Sequence, residues 1–235
     1  MIDIHSHVLP GIDDGSSDIT MSLTMLKESR RQGVTDMFLT PHFYADMNDP
    51  QKFLQKRQDA AQALSEYLES NPEAFPRCIL GAEVHYFRGI GKSEDISKLT
   101  LGRSRYILLE PTFRTWTPAF LEDVRILRDE QDLKVVIAHI ERYLDQDKHL
   151  VRELLEEEDV YIQSNSEAFL ERWSRKKVLK MLEGGKIHFL GSDCHNLTER
   201  RPNLRESRKV IEEKLGKEYL DAIDQRGQRL LAAAR

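Results

Sequence analysis

The feature that most constrains the fold is the regular alternation of short apolar runs with longer amphipathic stretches. The apolar runs predict seven strands, over Met1–Ile4, Val34–Leu39, Cys78–Val84, Tyr106–Leu109, Val135–Ala138, Val160–Gln163 and Ile187–Leu190. Helical periodicity predicts helices over Ser17–Gln32, Gln51–Leu68, Pro118–Glu130, Lys148–Glu157, Glu167–Glu183, Asn203–Lys214 and Tyr219–Ala233. This alternation is typical of a parallel α/β fold, and seven strands predict a barrel.

No linker or internal repeat interrupts the chain, which favours a single domain over residues 1–235. The net charge of −5 argues against non-specific nucleic-acid binding, which usually needs a basic face. Two cysteines, Cys78 and Cys194, favour a reducing compartment. The opening MIDIHSH lacks the features of a signal peptide, and no apolar run approaches the roughly 20 residues of a membrane span. A cytoplasmic location without membrane insertion is expected.

Almost every predicted strand ends in side chains that can bind a metal or a phosphate. These ends read Asp3-Ile4-His5-Ser6-His7, Thr40-Pro41-His42, Gly81-Ala82-Glu83, Leu109-Glu110, Ala138-His139-Ile140-Glu141-Arg142, Gln163-Ser164-Asn165 and Gly191-Ser192-Asp193-Cys194-His195. A single histidine at a strand end is usually structural. In a parallel barrel, however, all strand C-termini open on one face, so these residues are expected to converge on one pocket.

Alternation along a strand indicates that His5 and His7 face the same way, and the same argument applies to Asp193 and His195. Asp3 shares the face of His5, where it is expected to orient a histidine rather than to bind a metal. In the following loop, turn and helix-cap preferences explain one of Asp13 and Asp14, and the other is expected to reach inward as a ligand.

Histidines and carboxylates without thiolates suit Mn²⁺, Fe²⁺ or catalytic Zn²⁺ rather than structural zinc. Several carboxylates at one place require several cations, because otherwise they would repel one another and raise each other's pKa.

The motifs DIHSHVLPGIDDG, TPHFY, GAEVHY, AHIERY and GSDCHN resemble those of the polymerase and histidinol phosphatase (PHP) superfamily. In detail they are similar to the bacterial metal-dependent protein tyrosine phosphatases of capsule and exopolysaccharide operons. The motifs run from residue 3 to about residue 200 and so cover nearly the whole chain.

The resemblance implies a distorted (β/α)₇ barrel with three divalent metals, usually manganese. It assigns one metal to His5, His7, Glu83 and Asp193, a second to Glu83, Glu110 and His139, and a third to Asp14, His42 and His195. Two phosphate-binding arginines map to Arg142 and Arg200. The second mapping leaves Arg201 as an alternative, because the family pattern continues Arg-Pro-Pro where this chain has Arg200-Arg201-Pro202.

Other polar and aromatic residues have less specific interpretations. His85 and His188 are expected to be structural, and His149 a solvated surface residue. Arg103, Arg105 and Arg114 are expected to serve surface solubility rather than substrate binding. The aromatic residues Phe43, Tyr44, Phe113 and Trp116 follow strand ends, where a substrate rim and ordinary core packing both remain open.

The expected reaction is direct hydrolysis of phosphotyrosine by a metal-activated hydroxide, with the two arginines stabilising the transition state. The resemblance suggests the tyrosine-rich tail of a bacterial tyrosine kinase as substrate. A PHP phosphatase acting on a small phosphomonoester such as histidinol phosphate is the main alternative. A metal-filled scaffold without activity is disfavoured by the complete ligand set.

A cysteine-dependent phosphatase is a further rival, because Cys194 and Arg200 have the C-x₅-R spacing. That chemistry needs a thiolate of lowered pKa in a loop that wraps an anion. The negative charges of Asp193 and Glu199 disfavour both a thiolate and a bound phosphate. The loop also contains no glycine to help its backbone wrap an anion.

Overall fold

The computed structural model describes residues 1–70 and 74–235. These residues contain the strands β1 (Ile2–Asp3), β2 (Asp36–Leu39), β3 (His42–Phe43), β4 (Arg77–Leu80), β5 (Glu83–His85), β6 (Tyr106–Glu110), β7 (Lys134–Ile137), β8 (Val160–Asn165) and β9 (Phe189–Gly191). They also contain the helices α1 (Ile19–Gln32), α2 (Pro50–Ser70), α3 (Pro118–Asp129), α4 (Lys148–Leu154), α5 (Arg175–Glu183), α6 (Leu204–Lys214) and α7 (Lys217–Ala234). None of the helices in the described residues is long and apolar enough to cross a bilayer.

The strands pair in parallel, in the orders β1-β2-β4 and β3-β5-β6-β7-β8-β9. A parallel bridge between Ser6 and Cys194 joins the segments after the first and the last strand. There the Asp193 amide donates to His5 O at 2.8 Å, and the His7 amide donates to Cys194 O at 3.0 Å. The predicted parallel, barrel-like α/β fold is confirmed.

The described residues contain nine strands where seven are predicted, because one predicted strand divides in two and a further strand lies beyond the predicted bounds. The predicted strand Cys78–Val84 divides at Gly81-Ala82 into β4 and β5, and β3 follows β2 after Thr40-Pro41. Pro41 has no amide hydrogen to donate to a neighbouring strand, although its carbonyl accepts from the Glu83 amide at 3.1 Å. The breaks at Thr40-Pro41 and Gly81-Ala82 change the direction of the backbone just before His42 and Glu83.

Helix α5 is shorter than the predicted helix Glu167–Glu183. In place of the first half of the predicted helix, the chain forms a 3₁₀ helix over Ser166–Phe169 followed by a turn. Ser174 Oγ donates to Ala168 O at 2.7 Å, and Arg175 Nε donates to Phe169 O at 2.8 Å. Side chains thus occupy carbonyls that a continuous α-helix would use, and the helix begins only at Arg175.

The described residues form two buried clusters, and the smaller one packs the sheet against α7. It joins Ile4, just after β1, and the strand residues Phe38 and Leu108 to Leu230 and Leu231 of α7. Helix α7 also contacts β1 and β9, and it covers the ends where the strands begin. The C-terminal ends of the strands therefore stay accessible, which is where parallel α/β barrels carry their sites.

His188 is expected to make the stability of the fold depend on pH. Its Nδ1 accepts a hydrogen bond from the Ile162 amide at 2.9 Å, and burial lowers its pKa to about 4, helped by Arg226 and Lys186. Between about pH 6.5 and 4, His188 binds a proton in the unfolded chain but not in the folded one. The free energy of unfolding therefore falls as the pH falls. Allowing for partial solvent exposure, we expect a loss of about 1–2 kcal/mol.

Denaturant unfolding at pH 7.5, 5.5 and 4.5 measures this effect against His188→Gln, whose side chain does not titrate. The variant should show a flatter dependence in this window. An unchanged pH dependence in the variant would show that His188 does not contribute.

Candidate metal centre

Four residues predicted to share one cation meet at the C-terminal ends of the strands. His5 Nε2 and His7 Nε2 lie 3.1 Å apart, and each lies 3.2 Å from Glu83 Oε2. Asp193 Oδ1 lies 3.5 Å from His5 Nε2 and 3.4 Å from His7 Nε2. Atoms that bind one cation at about 2.0–2.2 Å lie roughly 3–3.6 Å from one another. The spacing of these four donors fits a shared cation.

Glu83 reaches a second group of donors through its other oxygen. Glu83 Oε1 lies 2.8 Å from His139 Nε2, which lies 3.6 Å from Glu110 Oε1. Across the β3–β5 pair His42 is opposite Glu83, and His42 Nδ1 lies 3.0 Å from Glu83 Oε2. One carboxylate therefore faces imidazoles of all the predicted metal groups, as a bridging ligand would.

The third predicted group lies at the mouth of the centre. Asp14 Oδ1 lies 3.5 Å from His42 Nε2 and 3.4 Å from His195 Nε2. The imidazole of His7 stacks on that of His195, and all four residues offer donor atoms within 4.8 Å of one another. The side chain of Asp14 is 64% exposed, so this group borders solvent while the first two are buried.

Several buried donor atoms of the centre receive no hydrogen bond from any residue that the structure describes. They include Glu83 Oε2, Asp193 Oδ1, His42 Nδ1 and His195 Nε2. An unsatisfied buried polar group costs about 1–3 kcal/mol, and a charged one costs more. Divalent cations with nitrogen and carboxylate ligands would satisfy these atoms together, so the residues present fit a metal centre.

Two residues of the centre have left-handed backbone conformations, with φ of 31° at His139 and 52° at Asp193. Such conformations are uncommon without glycine and typically cost about 1–3 kcal/mol. Asp193 and His195 are predicted to share a face because side chains alternate along a strand. That reason is wrong, because β9 ends at Gly191, before either residue. A turn, and not strand periodicity, brings both to the centre.

Both aspartates of the loop after β1 reach inward, and they act differently. His7 Nδ1 lies 2.8 Å from Asp13 Oδ2, which also accepts from the His42 amide at 3.0 Å. Burial alone would raise the pKa of Asp13, but the hydrogen bond and charge of His7 hold it well below its usual range. A carboxylate on Nδ1 fixes the other ring nitrogen toward a metal. The sequence predicts that one of the two aspartates reaches inward as a ligand. The structure adds a second role, in which Asp13 orients the imidazole of His7.

Glycine at position 15 is required by the close approach of this loop to His7. A β-carbon on Gly15 would lie 2.1 Å from His7 O. The Gly15 amide in turn donates to Asp13 Oδ1 at 3.0 Å. The DDG sequence therefore fits the loop against His7 while presenting Asp13 to the imidazole.

Within the described part of the chain, the hydrogen bonds of Asp3 come from backbone amides and not from an imidazole, which corrects its expected role. Its Oδ1 accepts from the Ser192 amide at 2.9 Å and from the His5 amide at 3.3 Å. Burial raises the pKa of Asp3 to about 6. The residue therefore ties β1 to the segment after β9 instead of orienting a histidine ring.

Two arginines flank the centre on the side of Asp193. Arg142 Nη2 and Arg200 Nη2 lie 2.7 Å and 2.9 Å from Asp193 Oδ2, and both side chains are about one-third exposed. Arg201 instead pairs with Glu206 on α6 at 2.8 Å. Of the two adjacent arginines, Arg200 is the one whose guanidinium faces the centre.

The end of β8 supports Asp193. Asn165 Nδ2 donates to Asp193 Oδ2 at 2.7 Å, and Gln163 Nε2 donates to Asn165 Oδ1 at 2.9 Å. Gln163 Oε1 accepts from the His139 amide at 2.6 Å. These amides hold one oxygen of Asp193 and leave the other facing His5 and His7.

The remaining histidines lie outside the donor groups. His85 is opposite Glu110 across the β5–β6 pair, and its Nδ1 lies 2.9 Å from Glu110 Oε2, so its structural role includes contact with a predicted ligand. His188 accepts a backbone hydrogen bond, as a structural residue would. The side chain of His149 is 82% exposed on α4, as predicted for a surface residue.

The four aromatic candidates divide between core and surface. Phe43 and Trp116 are buried, which excludes them from a rim. The ring of Tyr44 lies 5.2 Å from that of His42, and Phe113 is 62% exposed. The predicted surface arginines Arg103, Arg105 and Arg114 are all exposed, and Arg105 pairs with Asp132.

Cys194 is fully buried, and burial raises the pKa of its thiol. A cysteine nucleophile requires an accessible thiolate of lowered pKa. Cys194 therefore has neither the accessibility nor the lowered pKa that the C-x₅-R mechanism needs. Of the two residues of that pattern, Arg200 faces the centre and Cys194 is buried.

Comparison with known proteins yields matches over nearly the whole chain. The model of a family described as "Capsular polysaccharide synthesis, CpsB/CapC" matches residues 1–231. Tyrosine-protein phosphatase CpsB of Streptococcus agalactiae is 31% identical over 242 residues, covering 95% of this chain and 94% of that protein. Tyrosine-protein phosphatase YwqE of Bacillus subtilis is 30% identical over 241 residues, covering 98% and 91%.

A solved structure matches the whole fold. It comes from a study of YwqE from Bacillus subtilis and CpsB from Streptococcus pneumoniae, described there as unique metal-dependent tyrosine phosphatases. The TM-score is 0.85 at 27% sequence identity, over 100% of this chain and 96% of that one.

Proposed function

The chain belongs to the CpsB/CapC family of capsular polysaccharide synthesis proteins, and on that premise we propose that it is a metal-dependent protein tyrosine phosphatase. The observation that carries this proposal is the convergence of buried histidine and carboxylate side chains beside two partly exposed arginines. Several atoms of these side chains, among them Glu83 Oε2 and Asp193 Oδ1, have no hydrogen-bond partner in the described part of the chain. The names of the relatives support the same activity.

We assign the metal ligands as the sequence predicts: His5, His7, Glu83 and Asp193; Glu83, Glu110 and His139; and Asp14, His42 and His195. Three divalent cations, most suitably Mn²⁺, are proposed from this number of carboxylates and from the absence of thiolate donors among them. Bound there, such cations lower the pKa of a coordinated water and neutralise phosphate charge.

The residues of the chain bind and orient the phosphate. Arg142 and Arg200 share one oxygen of Asp193, and their remaining N–H groups can donate to phosphate oxygens at the edge of the centre. Charge-assisted hydrogen bonds of this kind stabilise the charge that develops on phosphorus oxygens in the transition state. Asp13, through His7, and Asn165, through Asp193, keep the donors in place.

We further propose that the substrate is the tyrosine-rich tail of a bacterial tyrosine kinase that controls capsule or exopolysaccharide synthesis. The description of the family, capsular polysaccharide synthesis, supports the pathway. The two free cysteines support a cytoplasmic location.

Substrate preference tests the proposal against a small-molecule phosphatase. Tyrosinate leaves with a conjugate-acid pKa of about 10, so it is a better leaving group than a serine alkoxide. We expect kcat/KM for phosphotyrosine peptides to exceed that for matched phosphoserine peptides and for histidinol phosphate by at least about ten-fold. Preferred hydrolysis of histidinol phosphate would reassign the enzyme to the alternative.

A further inference from the structure

A groove of about 470 Å³ extends from the metal centre between the loop after β1 and the start of α2. Asp13, Asp14 and His42 line its inner end. The rest of its lining is Ile12, Tyr44, Met47, Asn48, Asp49, Lys52, Phe53 and Lys56. Because the groove and the centre share residues, a substrate that extends beyond its phosphate has a path into the groove.

Two lysines of the lining, Lys52 and Lys56, form no ion pair with the carboxylates of the groove. Asp49 Oδ1 accepts from the Lys52 amide at 2.9 Å and so caps the start of α2. Lys56 Nζ donates to Ile12 O, a neutral acceptor, at 2.8 Å. Within residues 1–70 and 74–235, neither ammonium group has a carboxylate partner within 4.0 Å. Both lysines are exposed and available to an anionic group.

Apolar side chains are exposed beside the centre. Met47, in the groove, is 77% exposed, and Phe113, shortly after β6, is 62% exposed. Both residues follow strand ends, on the side of the sheet that carries the centre. Exposed apolar residues around a polar site are typical of surfaces that contact another protein.

From these observations we infer that the groove binds the polypeptide segment next to the scissile phosphotyrosine, and that Lys52 and Lys56 select an acidic side chain in that segment. Met47 and Tyr44 supply the apolar wall against which the segment packs. The inference rests on the proposed function, and it adds a substrate class: phosphotyrosine flanked by aspartate or glutamate. A small phosphomonoester would not reach the lysines.

The test compares three substrates: a phosphotyrosine peptide with glutamate at the two positions on each side, the same peptide with glutamine, and phenyl phosphate. For the metal-loaded wild-type enzyme, the glutamate peptide should have the lower KM. Lys52→Glu should raise KM for the glutamate peptide by about ten-fold and leave kcat and phenyl phosphate hydrolysis unchanged. Lys56→Met should have a smaller effect in the same direction. Lys209→Glu, the same charge reversal on α6 outside the groove, is the control, and it also removes the pairing of Lys209 with Glu213 on that helix.

Added salt should reduce the difference between the two peptides, because it screens exposed charges. Equal KM values for the two peptides in the wild-type enzyme, or an equal loss in Lys209→Glu, would overturn the inference while leaving the phosphatase function intact. So would a parallel loss of phenyl phosphate hydrolysis in Lys52→Glu, which would place the effect in the centre. An enzyme that hydrolyses phenyl phosphate but no phosphotyrosine peptide would instead contradict the proposed function itself.

Discussion

Glu83→Ala is expected to lower kcat/KM by at least about 10³-fold and to reduce the metal content of the protein by more than one ion per chain. The reason is that Glu83 faces His5, His7 and His42 through Oε2 and His139 through Oε1. Removing it takes a ligand from two of the assigned metals and leaves buried imidazoles without their counter-charge.

His42→Ala is the informative comparison, because His42 is assigned to the third metal alone. Its loss should cost one ion per chain and a smaller part of the rate. His149→Ala, which removes an exposed histidine on α4, is the control for unspecific effects. Metal analysis of each purified variant, beside its kcat/KM, gives the answer. Equal loss of metals and rate in Glu83→Ala and His42→Ala would show that the ligand assignment is wrong.

Arg142→Ala is expected to lose about 10² to 10³ in rate, whereas Cys194→Ser should keep most of it. The Arg142 guanidinium is partly exposed beside Asp193. Its proposed charge-assisted contact with the phosphate strengthens in the transition state. Cys194 is buried with a raised pKa, so its sulfur is a packing group. Arg201→Ala, at the neighbour that pairs with Glu206, is the matched arginine control.

A cysteine-dependent mechanism predicts the opposite order for these two variants. Steady-state rates, with metal content and a thermal melt for each protein, separate the two mechanisms. An inactive Cys194→Ser enzyme that retains its metals, together with a trapped phosphocysteine in the wild type, would replace the proposed mechanism.

The convergence of the site could be predicted because it follows from the fold. Parallel strands end on one face, so donors at the ends of different strands had to meet there. The structure brings His5, Glu83, His139 and Asp193 together as that argument requires. The sequence leaves the role of the aromatic residues open, because a position after a strand end does not predict which way a side chain turns. Trp116 turns into the core, whereas Phe113 turns outward.

Other features depend on the local backbone conformation, which the hydrophobic periodicity of the sequence does not predict. The left-handed turn at Asp193 replaces the strand alternation used to pair it with His195. The role of Asp13 depends on a loop fitted against His7, and the DDG sequence equally favours a simple turn. Helix α5 begins late because Ser174 and Arg175 bond to carbonyls upstream, a choice between competing local hydrogen bonds.

Reversible removal of the metals tests the central claim most directly. The measurement is phosphotyrosine hydrolysis together with metal content per chain, before chelation, after chelation and dialysis, and after stepwise addition of Mn²⁺. The account predicts that activity falls to background in the stripped protein and returns as the metal content rises toward three ions per chain. Full activity in a protein verified to be free of metal would contradict it.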